Sequence, residues 1–241
     1  MSGHSHWAGI KQKKGAADAR RSKVFSKLAQ ELTLAAKEGG DPAANPRLRS
    51  VVEKAHAENM PSDNIDRAIK RGAGGEGNAL EEVLFEAYGP GGIAVLLAGI
   101  TDNKNRALGE IKQALSKHQG KLVEGGAVQW MFERKGCITI PTQETIKMKS
   151  KEEIELAAIE AGAQDIYWNE SDSTLDIYTT PTELKETQEH LEAQGLSANK
   201  TSLEWVPKER ISVSQETKEA TERLFEALDE LDSIHDIYSN L

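Results

Sequence analysis

The chain of 241 residues contains one cysteine, Cys137. A single thiol excludes an internal disulfide framework and fits a reducing, cytoplasmic compartment. Long apolar runs are also missing. The longest, IAVLLAGI at 93–100, has the length of a strand and falls short of the roughly 18–20 residues that span a bilayer, so no membrane association is expected. The first residues carry no apolar segment of the kind that marks a secretory signal, and the start of the chain is too poor in leucine for a mitochondrial presequence. The six histidines, at 4, 6, 56, 118, 190 and 235, are scattered. With one cysteine and no clustered ligands, neither a structural zinc site nor another metal is expected. Signatures of catalysis are absent too: there is no G-x-S-x-G, HExxH or Walker A sequence, which points away from an enzyme and from a cofactor.

Positive charge is outnumbered overall and unevenly spread. The chain has 30 Lys/Arg against 39 Asp/Glu, a net charge of −9. Residues 1–75 nevertheless hold 14 Lys/Arg and 8 Asp/Glu, a net +6, while residues 76–241 hold 16 and 31, a net −15. The stretch KQKKGAADARRSK at 11–23 alone has six cations and one acid, Asp18. A basic module on an acidic body implies contact with a polyanion at one end only. A solvated arm with no partner is the plainer alternative.

Length and a 38% hydrophobic, 29% charged composition suit a soluble globular protein of one to three domains. Residues 1–20 lack apolar periodicity and read as a mobile arm. A helix is expected from Arg20, because Val24, Leu28 and Leu32 recur every four residues. Gly39-Gly40 should stop it, and GGDPAANP reads as a linker. A second helix fits 46–59, with Pro46 in its first turn and Pro61 beyond its end. PSDNIDRAIKRG reads as a third helix, capped by Ser62 or Asp63 and stopped by Gly72. GAGGEGN at 72–78 is a candidate domain joint.

Beyond it the period changes. EVLFEAY (82–88) and GIAVLLAGI (92–100) read as strands around a GPGG turn. Residues 105–118 read as a helix with Leu108, Ile111 and Leu115 on one face. AVQWMFE (127–133) alternates as a strand does. From Cys137 the expected order is βαββαβ, a ferredoxin-like unit. The tail offers a helix at 215–231, with Ala220, Leu224, Leu228 and Leu231 inward, and a strand, IHDIY. Because a lone helix–strand tail cannot bury its own apolar face, the tail is expected to complete the middle unit. The reading is therefore an α+β multidomain protein. An N-terminal helical domain with its basic arm (1–79) precedes two α+β sandwich domains. The ferredoxin-like one (137–209) is inserted in the other, which is discontinuous (80–136 plus 210–241).

The candidate nucleic-acid-binding residues follow from the charge. Lys11, Lys13, Lys14, Arg20, Arg21, Lys23 and Lys27 run from the arm into the first helix, and Arg67, Lys70 and Arg71 extend the positive face on the third. Lysine and arginine neutralise phosphates whatever the base sequence. Trp7 is placed to stack on an unpaired base or to pack on Ile10. No zinc-finger or RNA-recognition-motif signature marks a base reader. TDNKNR at 101–106 ends a strand and opens a helix. Asn103, Lys104 and Arg106 there form a possible anion site at a helix N-terminus, and helix capping alone also explains the Asp and Asn. Cys137, on a strand, reads as a small core residue.

Several segments in order, GHSHWAGIKQKKGAADARRSKVFSKL, MPSDNIDRAIKRG, EAYGPGGIAVL, TDNKNR and VQWMFERKG, resemble the YebC/PmpR family over essentially the whole length. That family includes the mitochondrial translational activator of cytochrome oxidase. The resemblance implies three domains, the helical one first and one α+β domain inserted in the other. It also implies a regulator of gene expression with no catalytic residues. Bacterial members are described as DNA-binding transcriptional regulators, and mitochondrial ones act on translation at the ribosome. The expected partner is DNA, or ribosomal or transfer RNA with the ribosome itself, and no oligomeric state is implied. His6 stands where the family usually has Lys, and Gln12 lies near a position where it commonly has His.

Overall fold

The computed structural model describes residues 17–75, 79–142, 149–169 and 173–241, with side chains from residue 21 onward in the first helix. Helix α1 (Ala17–Ala35) begins ahead of the expected Arg20 and ends in a short 3-10 turn, Ala36–Glu38. It packs Leu28, Leu32 and Ala35 against Leu48 and Ala55 of α2 (Pro46–Ala57) and Ile65 and Ala68 of α3 (Ser62–Ala73). The Pro/Gly-rich linker is stitched by Asn45. Its side chain accepts from the Leu48 N–H at 3.0 Å and donates to the carbonyls of Ala35 and Gly39, both at 2.8 Å. One residue thus caps α2 and satisfies carbonyls left over at the end of α1.

Two expectations for α3 need correction. Neither Ser62 nor Asp63 caps it: Pro61 occupies the cap position, and no side-chain cap bond forms. Gly72 is not the stop either, since the helix continues to Ala73. Its role is close approach. A Cβ at Gly72 would lie 2.2 Å from the Thr33 carbonyl oxygen of α1, so the two helices touch backbone to backbone there.

Strands β1 (Glu81–Tyr88), β2 (Ala94–Thr101), β3 (Lys121–Val123) and β8 (Asp236–Ser239) form an antiparallel sheet of order β3-β1-β2-β8. The C-terminal strand pairs with β2 and so becomes an edge of the middle sheet. One face of this sheet carries Val83, Phe85, Val95 and Leu97 against Ala107, Ile111 and Leu115 of α4 (Lys104–Lys117). Leu224, Phe225 and Leu228 of α7 (Gln215–Asp229) complete that layer. Leu108, expected on one face with Ile111 and Leu115, is exposed, and Ala107 joins those two in the core instead. Ala220, expected inward, is half-buried, and the neighbouring Thr221 is fully buried. The opposite face buries Ala94, Leu96 and Tyr238 against Val128, Phe132 and Trp205. A strand covered on both faces reads as an unbroken apolar run, which is why β2 has no alternation.

The second sheet, order β5-β6-β4-β7, is built from β4 (Phe132–Pro141), β5 (Asp165–Asn169), β6 (Thr174–Thr179) and β7 (Lys200–Pro207). All its neighbouring strands are antiparallel. Helices α5 (Lys151–Glu160) and α6 (Leu184–Ala193) cover one face, with Ile154, Ala157 and Leu191 on Ile138, Ile140, Leu175 and Ile177. With strands and helices alternating βαββαβ and the first strand of the unit central, this is the ferredoxin-like arrangement, inserted between β3 and α7. The expected strand over 127–133 is a correction. Residues Gln129–Met131 form a 3-10 turn, the strand starts at Phe132, and it runs unbroken through residues 136–137. The third strand of the middle sheet is Lys121–Val123 instead.

Candidate nucleic-acid interface

Trp7, Lys11, Lys13 and Lys14 lie outside the described residues, as does the side chain of Arg20. Of the remaining sequence candidates, Arg21 on α1 and Arg67, Lys70 and Arg71 on α3 are exposed. The α3 cations lie away from the buried stripe of Ile65, Ala68 and Gly72, because they fall between those positions on the helix. Arg49 on α2, which the sequence reading passed over, is exposed as well. None of these five has an ion-pair partner among the described residues, so each presents its full charge to solvent.

Lys23 and Lys27 are placed differently. Lys23 Nζ lies 2.9 Å from the Glu230 carboxylate. Lys27 Nζ donates to the Asp229 carboxylate at 3.0 Å and to the Asp229 carbonyl at 3.1 Å. Lys27 is only 7% exposed, which corrects its expected place on an open phosphate-binding face. Its position on α1, next to Leu28, turns it toward the end of α7 instead of toward solvent.

Further polar contacts bind the same surfaces. His235, at the start of the C-terminal strand segment, sets Nδ1 3.2 Å from Glu31 Oε1 and Nε2 3.0 Å from Gln30 Oε1. Lys54 donates to the same Glu31 carboxylate at 2.8 Å. Burial alone would raise the Glu31 carboxyl, but the His235 hydrogen bond and the Lys54 charge outweigh it, and the group is held below its ordinary value. Lys37 donates to the Leu80 carbonyl at 2.7 Å, and Arg47 pairs with Glu38 and Glu82. Position 99 lets the loop before β8 come close. A Cβ on Gly99 would fall 1.8 Å from the Ser233 carbonyl oxygen, and the His235 N–H bonds the Ala98 carbonyl at 2.9 Å.

The possible anion site at 101–106 has its polar groups engaged. Asn103 caps α4 by accepting from the Arg106 N–H at 3.1 Å, and the Arg106 guanidinium pairs with Asp102. Lys104 remains exposed beside them. Cys137 is 1% exposed, and burial pushes its thiol far up, ahead of the nearby Glu204 and Asp176 charges. Such a thiol is a core group and a poor nucleophile. Among the described residues no group of three or more His, Cys, Asp or Glu could hold a metal ion, and no helix is long and apolar enough to cross a membrane.

One arrangement had no signal in the sequence. Glu86, on the inner face of β1, accepts from the N–H groups of Gly126, Val128 and Gln129 at 2.5, 2.6 and 2.9 Å. Burial would raise this carboxyl, yet the backbone donors win and its ionised form is favoured. The pinned loop holds Trp130 65% exposed, its Nε1 donating to the Ala127 carbonyl at 3.0 Å.

The matches with known proteins cover the molecule from end to end. Residues 5–75 match the family described as the TACO1/YebC protein N-terminal domain, and residues 80–241 match the TACO1/YebC second and third domain. A relative from Trichlorobacter lovleyi is 43% identical over all of this chain and 95% of its own length, and one from Petrotoga mobilis is 47% identical over all of this chain and 94% of its own. Both carry the name "Probable transcriptional regulatory protein". The crystal structure of a conserved hypothetical protein from Aquifex aeolicus superposes with a TM-score of 0.85 at 43% identity, covering 98% of this chain and 96% of that one. Helical unit, double α+β body and matched segments agree along the whole length: the chain belongs to the TACO1/YebC family.

Proposed function

We propose that the protein is a cytoplasmic, non-enzymatic, nucleic-acid-binding regulator of gene expression, of the DNA-binding transcriptional type. The observation that carries this reading is the separation of charge. A net +6 resides in the first 75 residues of an otherwise acidic chain, and within it Arg21, Arg49, Arg67, Lys70 and Arg71 are exposed without ion-pair partners among the described residues. Cations of this kind bind phosphates by releasing counterions. The acidic α+β body repels nucleic acid and so limits contact to the helical end. The names of the relatives, transcriptional regulatory proteins, support the regulatory role.

A ribosome-associated translation factor contacting ribosomal or transfer RNA is the second reading. A basic stretch with no zinc-finger or RNA-recognition-motif signature in the sequence suits this reading as well as the first, because phosphates look alike to lysine and arginine. Ultraviolet crosslinking in cells, with sequencing of the attached nucleic acid, separates the two. Promoter DNA, lost when Lys13, Lys14, Arg20 and Arg21 are all replaced by Ala, supports the transcriptional reading. Discrete ribosomal or transfer RNA positions would replace it with the translational one. Crosslinks to neither, or crosslinks indifferent to the four substitutions, would overturn nucleic-acid binding through this end of the chain.

A further inference from the structure

Lys23, Lys27 and Glu31 stand four residues apart on α1 and therefore share a face. That face rests on the segment from the end of α7 to β8: Lys23 on Glu230, Lys27 on Asp229, Glu31 on His235. The apolar cluster of the helical unit has no residue in common with those of the two sheets. Ions and hydrogen bonds, and no shared apolar cluster among the described residues, hold the helical unit to the C-terminal segment. Two of the three contacts set a lysine of α1 on a carboxylate, the same anionic oxygen chemistry that a phosphate diester presents.

We propose that Asp229 and Glu230 act as an internal competitor for phosphate. They keep the Lys23–Lys27 face of α1 closed, and a nucleic-acid backbone that takes these two lysines releases the helical unit from the C-terminal segment. The inference rests on the nucleic-acid reading above and adds a control to it. The Lys23–Glu230 pair is half open to solvent on the acid's side, at 78% exposure, and pairs of that kind are weak. The Lys27–Asp229 pair, at 9% and 13%, is the one that holds. Replacing its carboxylate by an amide removes the charge that compensates this buried lysine and leaves the hydrogen bond to the Asp229 carbonyl, which weakens the closed arrangement. Coupling is reciprocal: whatever factor of affinity nucleic acid spends on opening is returned when the acids are removed.

The test uses the full chain and two probes, a 30-nucleotide single-stranded RNA and a 30-base-pair DNA duplex. Asp229→Asn with Glu230→Gln is compared with Glu216→Gln and Glu219→Gln, which remove the same two charges from the exposed first turns of α7. Spin labels at Glu53→Cys on α2 and Lys112→Cys on α4, both exposed, report the distance between the units. The expected result is affinity raised at least about fivefold, the lower end of ordinary coupling, by the first pair and little changed by the second. The label distance should lengthen on adding probe to the unsubstituted chain, and without probe in the first variant. Which probe acts identifies the physiological backbone. If the unsubstituted chain binds and the first variant gains no more than the control, the competitor is overturned while the nucleic-acid reading stands. If only the first variant binds, the mask is supported in its strongest form. If no chain binds either probe, both fall.

Discussion

The imidazole of His235 lies 3.2 Å from the carboxylate of Glu31, across a sequence separation that joins the first helix to the last strand. With Nε2 also 3.0 Å from Gln30 Oε1, both ring nitrogens face side-chain oxygens. Lys54, approaching the other side of Glu31, completes the cluster. Replacing His235 with Ala leaves Glu31 with Lys54 alone, and the expected loss is about 2 kcal/mol, the worth of a hydrogen bond to a charged group. Hydrogen exchange of α1, faster in this variant while the second sheet is unchanged, would confirm the placement of the loss.

Acid acts on the same contact. The Glu31 carboxyl is held below its ordinary value in the folded chain, so the unfolded state takes up its proton first as pH falls. The stabilisation is complete above the ordinary carboxyl range and is lost as pH drops through the lowered folded value. Melting temperature followed from pH 6 to pH 3 should therefore decline less steeply in Glu31→Gln than in the unsubstituted chain. Equal slopes would remove Glu31 from the account.

Glu86→Gln tests the pinned loop. The amide keeps the shape but halves the acceptors facing the N–H groups of Gly126, Val128 and Gln129. A loss of about 3 kcal/mol is expected from weakened charge-assisted bonds, and the melting temperature should fall by about 6–12 °C for a chain of this size. Trp130 fluorescence should shift toward that of a mobile side chain. An unaltered melting temperature would mean that the loop is held by Val128 and Phe132 packing alone.

Gly72→Ala should destabilise the helical unit although alanine is the better helix former. Propensity favours Ala by about 1 kcal/mol. The new Cβ, however, would sit 2.2 Å from the Thr33 carbonyl and 2.8 Å from the Ala36 Cβ, and overpacking of this sort costs about 1–3 kcal/mol. A more stable protein would show that α1 and α3 separate without cost.

Cys137 should be silent toward a thiol reagent at pH 8 in the native chain and react at once in guanidinium. Its burial and raised thiol both withhold the thiolate. Rapid labelling of the native protein would contradict the placement of β4.

Much of the fold was legible because its signals are local. The four-residue recurrence of Val24, Leu28 and Leu32 is enough for a helix, and the βαββαβ order from residue 137 onward is enough for a ferredoxin-like unit. The strand expected over 127–133 misled for the same reason. Val128, Trp130 and Phe132 alternate, but Glu86, 42 residues before Val128, claims the backbone donors that a ladder would need. Gly72 reads as a stop because glycine commonly ends helices, and only the crossing of α1 shows that it marks a close contact. The candidate site divides likewise: the exposed cations on α3 were readable from composition, whereas Arg49 was missed and Lys27 misplaced.

The sequence by itself determined the period of most elements, the division of charge between a basic start and an acidic body, and the absence of a disulfide framework. These depend on residues close together along the chain, or on counting. Tertiary structure alone decided which cations face solvent and which are spent on Asp229, Glu230 and the Leu80 carbonyl, because an ion pair forms between groups that only folding brings within about 4 Å. Charge can be counted from composition, but its availability is set by what the fold places beside it.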